Sequence, residues 1–230
     1  MKYSRLVPVA LVIGALGILS ESHAALITNS LGNTAPGFND GDTPTILELV
    51  AAQGGQPAPF DQGYGNDVLG TVFDEGWMHS YAAIVDPILS ASLTIGIADH
   101  DSVATGSQVA AFTIDGIDFQ ATLDALFEGS GGGDNEYNVY QVLITGTALA
   151  GLADGNAPAA LMLAAPGLQT PLLPPGPPVD SLGNGAHLVF STLQIETQDA
   201  TPAPAPGTML LLASGIIGLS FTRRRRRMAL

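Results

Sequence analysis

The chain has 230 residues, 46% of them hydrophobic and only 12% charged, with no cysteine and a formal charge of -14. All seven Lys and Arg residues sit at the ends, whereas 20 of the 21 carboxylates, all but Glu21, fall between Ala25 and Thr201. A body without a fixed cation cannot neutralise phosphates, so nucleic-acid binding, phosphate-loop chemistry and a lysine Schiff base are excluded there; the missing cysteines exclude disulfides, thiolate metal sites and a thiol nucleophile.

Residues 1–24 open with Lys2 and Arg5, run through apolar Leu6 to Leu19 and close on Ser22-His23-Ala24. A basic start, a short apolar centre and small residues two apart describe a secretory signal helix cleaved after Ala24, so the body is expected to be exported. Residues 25–200 then read as that body. Its strand candidates, in order, are Ile46–Ala51, Val68–Phe73, Leu89–Ala98, Gln108–Asp115, Glu136–Thr145, Ala159–Ala165 and His187–Glu196. Alternation is clearest in the third, where Leu93, Ile95 and Ile97 oppose Thr94, Gly96 and Ala98. Ala110, Phe112 and Ile114 share a face of the fourth, and Val189, Leu193 and Ile195 a face of the last.

Short strands separated by Gly, Asp, Asn and Pro clusters predict an all-β fold, an antiparallel β-sandwich of jelly-roll-like type. Two short helices interrupt it. Phe119, Leu123, Leu126 and Phe127 recur at helical spacing after Asp118, a suitable N-cap, and Gly129 stops the run. A second turn follows Thr147 and carries Leu149 and Leu152 as far as Asp154-Gly155. Both are expected to cover an end or edge of the sandwich. The glycine run Gly129–Gly133 lacks a phosphate-loop lysine and reads as a flexible loop, and the proline-rich stretch Pro171–Pro178 reads as a surface loop.

The tail has three parts. Residues 201–207 form a proline-rich linker, 208–222 an apolar run and 223–230 a basic end. As a helix, 15 residues reach about 22 Å, short of a hydrocarbon core of about 30 Å unless flanking residues extend it. The arginines Arg223, Arg224, Arg225, Arg226 and Arg227 favour the cytoplasmic side, which agrees with an exported body and a C-terminal membrane helix.

The run Pro204-Ala205-Pro206-Gly207, the apolar segment and the arginine block together resemble the tails of the bacterial PEP-CTERM proteins. Ala205 stands where that family most often has glutamate. The resemblance implies sorting by an exosortase-type enzyme and transient anchoring in the inner membrane. It also implies removal of the tail near the motif, with release to the cell envelope or the exopolysaccharide matrix of a Gram-negative bacterium.

Chemistry in the body rests on its carboxylates. Asn39-Asp40-Gly41-Asp42, Asp99-His100-Asp101-Ser102, Asp115-Gly116-Ile117-Asp118 and Asp134-Asn135-Glu136 each place hard oxygen donors close together. Calcium takes six to eight such oxygens, so Asp40, Asp42, Asp99 and Asp101 are candidate ligands, although no cluster has EF-hand spacing. The same residues are common turn formers and caps. His100, between two aspartates, is a candidate ligand or base or else a hydrogen-bonded surface residue. Trp77, Tyr64 and Tyr81 are candidates for stacking on sugars or for the core.

Neither a His-Glu-x-x-His helix nor a Gly-x-Ser-x-Gly elbow is present. The expected function is that of a non-enzymatic structural or carbohydrate-binding component of extracellular polysaccharide. The alternative is a secreted polysaccharide hydrolase, whose two carboxylates would be hidden among the twenty.

Overall fold

The computed structural model describes residues 24–67, 69–171 and 178–198. The segments read above as a signal (to His23), a linker with a sorting motif, an apolar run and an arginine tail lie outside the described residues, as does most of the proline-rich stretch. No helix among the described residues is long and apolar enough to cross a membrane.

Two four-stranded antiparallel sheets carry the fold. The first has the order β1 (Ala24–Gly32), β10 (His187–Gln198), β3 (Ile88–Ala98) and β6 (Tyr137–Ile144); the second has β2 (Asp74–Ser80), β7 (Asn156–Leu163), β4 (Val109–Ile114) and β5 (Ile117–Asp118). The strands β8 (Gln169–Pro171) and β9 (Pro178–Asp180) pair as a separate ribbon. With the ribbon set aside, every connection passes from one sheet to the other except the β4–β5 turn at Asp115-Gly116.

The period-two pattern decides what goes inside. Leu93, Ile95 and Ile97 of β3, Leu193 and Ile195 of β10, and Tyr140, Val142 and Ile144 of β6 join one buried cluster with Phe112 and Ile114 of β4 and Leu161 and Leu163 of β7. Each large aliphatic side chain so buried contributes about 1.5–3 kcal/mol. The cluster continues to Leu123 and Phe127 of α2 (Gln120–Gly129), which contacts β6 of the first sheet and β4 of the second and so closes that side. Asp118 does not occupy the formal cap position, yet its Oδ1 accepts the Gln120 N–H at 2.8 Å. The second expected helix forms as α3 (Ala148–Gly151) with a 3₁₀ turn through Asp154.

Three expectations are corrected. Ile46–Ala51 is not a strand but most of α1 (Ile46–Gln53): Thr45 and Glu48 form a reciprocal capping box, with Thr45 N–H on Glu48 Oε2 at 2.8 Å. Val68–Phe73 gives only isolated bridges at Thr71 and Val72 among its described residues. In two strands a register irregularity reverses the expected facing. The shift between Val109 and Ala111 buries Val109 and exposes Ala110. Another between Leu188 and Phe190 sends Leu188 to the inter-sheet core and Val189 to a second cluster with Leu49, Ala98, Tyr137 and Phe190 on the outer face, under α1. Strands β1 and β2 were not expected at all.

Candidate cation site and adjoining groove

Antiparallel pairing brings the end of β3 and the starts of β6 and β10 to one end of the first sheet. There the chain after β3 turns through Asp99 (φ 59°) and Asp101 (φ 49°), both in the left-handed region that Asp tolerates better than most residues. Asp99 N–H donates to Glu136 O at 3.0 Å, and Asn135 N–H donates to Asp99 Oδ1 at 3.1 Å. These bonds tie the loop after β3 to the loop before β6 and deliver Asp134. One carboxylate oxygen each from Asp99, Asp101 and Asp134 lies within 4.8 Å of the others.

No lysine or arginine exists in this part of the chain to offset the three charges. Burial, then the charges of Asp99 and Asp67, pushes Asp101 up to about 7; burial also raises Asp99. Such a group of oxygens suits a hard cation, with backbone carbonyls and water completing a calcium shell.

Asp40 and Asp42 lie apart from this trio in their bonding. Asp40 Oδ1 accepts Val139 N–H at 2.9 Å, and Asp42 Oδ2 accepts Asn39 N–H at 2.6 Å, so both hold the turn that leads to a bridge with Tyr137. His100 does not face the aspartates. Its ring is fully buried, edge-on to Phe127 with centroids 4.4 Å apart, and Nε2 is 2.9 Å from Tyr140 Oη. The Tyr140 hydroxyl donates to Ser130 O at 2.8 Å, which leaves Nε2–H of His100 as the donor to Tyr140 and Nδ1 as a bare, unpartnered lone pair among the described residues. Burial lowers the His100 pKa to about 3, so the ring is neutral.

The glycine loop is packed, not open. Gly132 N–H donates to Asn138 Oδ1 at 2.8 Å, and a Cβ on Gly132 (φ 80°) would strike Ser102.

Beside the aspartates runs a groove of about 260 Å³, lined by Tyr64, Asn66, Asp67, Asp99, His187 and Ile46. Asp67 reaches it from a segment distant in sequence, held by Gly185 N–H on Asp67 Oδ1 at 2.8 Å. No local motif marks Asp67 or His187; the contact between the 63–67 segment and the start of β10 assembles them.

The other two aromatic candidates are in or against the core. Trp77 is 7% exposed and Tyr81 donates its hydroxyl to Leu152 O at 2.7 Å, whereas Tyr64 stays half-buried at the groove. Trp77 belongs to a chain of bonds across the two sheets. Trp77 Nε1–H donates to Ser191 Oγ at 3.0 Å, Ser191 Oγ is 2.9 Å from His79 Nε2, and His79 Nδ1 is 2.7 Å from Asn29 Oδ1. Asn29 Nδ2 donates to Ser80 O, so Oδ1 is the acceptor, Nδ1 of His79 carries the proton, and Ser191 O–H points to Nε2. The order of partners matches a hydrolase nucleophile, base and orienting group. Ser191 and His79 are both fully buried, so the chain fastens β2 to β1 and β10.

Neither a protein-family model nor a curated protein matches the sequence. Among solved structures, the chain is similar to dimeric latent PorU from Porphyromonas gingivalis, with TM-score 0.39 and 9% identity over 81% of this chain and 14% of that one. It is also similar to the ANX1 ectodomain from Arabidopsis thaliana, with TM-score 0.29 and 10% identity over 78% and 42% of the two chains. A third similarity is to the ANXUR2 extracellular domain of the same plant, with TM-score 0.27 and 14% identity over 80% and 44%. The chain thus spans less than half the length of each, and likeness at this level assigns no activity.

Proposed function

We propose that this chain is an exported, non-enzymatic module of the cell surface or extracellular polysaccharide matrix, sorted through its PEP-CTERM-like tail and carrying calcium at Asp99, Asp101 and Asp134. The observation that carries the reading is the convergence of those three carboxylates in a body with no counter-cation. The export half is supported by the placement of every basic residue at the ends. The strand orders β1-β10-β3-β6 and β2-β7-β4-β5 support a jelly-roll type of sandwich, with first and last strands adjacent.

Calcium that binds the native body and not the unfolded chain stabilises it by an amount that grows with the logarithm of concentration, about 2.7 kcal/mol at one hundred times the dissociation constant. Thermal melts of the full chain in calcium, and in sodium at matched ionic strength, test this. The expected result is a higher midpoint in calcium, which Asp101→Asn and Asp134→Asn diminish. Equal midpoints in the two salts would remove the metal, and recovery of the body in the cytosol would remove the export reading.

A further inference from the structure

The groove beside the aspartates is a built cleft with a lopsided hydrogen-bonding inventory. Its floor is backbone: a Cβ on Gly63 would meet the His187 ring, and one on Gly65 (φ 79°) would meet the backbone of Val72 and Phe73. Around that floor the side chains present acceptors. Gln53, fully buried, spends its Nε2 on Gln62 O and Leu188 O, at 3.1 and 3.0 Å. Its Oε1 must therefore accept Nδ1–H of His187, at 2.8 Å. Nε2 of His187 is left as a lone pair with no partner among the described residues, and burial lowers the pKa of the ring and keeps it neutral.

Asp67 and Asp99 each spend one oxygen on a backbone N–H, and the Asp101 carboxyl also hydrogen-bonds Asp67, so both carboxylates stand as acceptors along the groove. The Tyr64 hydroxyl is committed to Asp61 Oδ1 at 2.8 Å. Asn66 gives its Oδ1 to Leu69 N–H, so its amide N–H₂ is the one side-chain donor left to the groove among the described residues.

A site with two carboxylates, an imidazole lone pair and one free donor is complementary to a ligand that donates, and it repels uronates, sulfates and phosphates. A neutral sugar would satisfy the acceptors but gain nothing from the charges; a protonated amine gains from both. At about 260 Å³ the groove lies just below the range for drug-sized ligands, which suits a single ring. We infer that this groove binds an amino sugar, its ammonium group set against Asp67 and Asp99 and a hydroxyl donated to Nε2 of His187. The inference rests on the reading of the protein as a polysaccharide component and names the class of sugar.

The test is titration calorimetry of the full chain, in chelator, with a glucosamine oligomer, its N-acetylated counterpart and a galacturonate oligomer. The free-amine oligomer is expected to bind at least tenfold more tightly than the N-acetylated one, and galacturonate not to bind. Asp67→Asn, which keeps an oxygen for Gly185 N–H and removes one of the charges that press on Asp101, should weaken amine binding about tenfold without lowering the melting midpoint. If that variant fails to fold, loss of amine binding by the native chain as the amine is deprotonated at higher pH, with its circular dichroism unchanged, serves in its place.

Equal affinity for the free and acetylated oligomers, no binding of any oligomer, or full binding by a folded Asp67→Asn chain would each overturn the inference. The calcium melt is read separately through Asp134→Asn, outside the groove. A calcium response without amine binding overturns this inference alone, and amine binding without a calcium response overturns only the metal.

Discussion

His79 and Asp101 pull the pH dependence of stability in opposite directions. Burial lowers His79 to about 4, and the Ser191 hydroxyl has its acceptor, Nε2, only on the neutral ring. Its contribution is present above the unfolded pKa of 6.5 and lost as pH falls toward 4. Asp101, raised to about 7, prefers its protonated form in the fold. Its contribution is present below the unfolded value of 3.8 and lost as pH rises through about 7.

In chelator the two slopes offset one another between pH 4 and 6.5, and single variants separate them. Asp101→Asn is expected to raise the melting midpoint at pH 8 relative to the native chain and to leave an acid-side loss dominated by histidines. A midpoint at pH 8 that Asp101→Asn leaves unchanged would show that this carboxyl is solvated. Conversely, His79→Gln should flatten the loss between pH 6.5 and 4 while costing about 1–3 kcal/mol at pH 7, because Ser191 and Asn29 lose a partner. Melts across the pH range check both.

At the scale of elements, legibility followed regularity. Strands β3, β6 and β7 were readable because one face of each, such as Leu93, Ile95 and Ile97 or Tyr140, Val142 and Ile144, packs into the same core without a register break. α1 was misread from an apolar run, although the capping signature Thr45-x-x-Glu48 was present in the sequence and decided the outcome. The β10 irregularity was not readable. Nothing in the order Leu188-Val189-Phe190 says that Leu188 faces in and the next two face out; that depends on α1 being there to cover them. The acidic loops were visible one by one, but bringing Asp134 to Asp99 and Asp101 required the pairing of β3 with β6.

Because α1 is both capped and packed, its two supports should be separable. Thr45→Ala is expected to cost about 1 kcal/mol through the lost cap, and Leu49→Ala, at a position 2% exposed, about 2–5 kcal/mol through the cavity. Denaturant titrations would measure both, and a Leu49→Ala loss below that of Thr45→Ala would mean that the outer cluster is loosely filled.

On the scale of the molecule, the body between the two basic ends carries its own core, whose buried hydrophobic residues lie between Leu49 and Ile195 among the described residues. A chain from Ala25 to Thr201 is therefore expected to give a β-rich circular dichroism spectrum and a cooperative melt. A chain ending at Asp180 should give neither, since it lacks β10, the strand that joins β1 to β3.

That adjacency of first and last strands also sets an order in time. A polypeptide leaves the ribosome, and threads any pore, amino end first, so β1 emerges and must wait for a neighbour that is made last. Until residues 187–198 follow, β1 has no ladder and β3 has an open edge, the condition in which strands of separate copies join one another. Local helices and the β4–β5 turn can form early, but closure of the first sheet is deferred to the twelve residues of β10. Whatever shields this chain while it is being made has to act for nearly the whole of its synthesis.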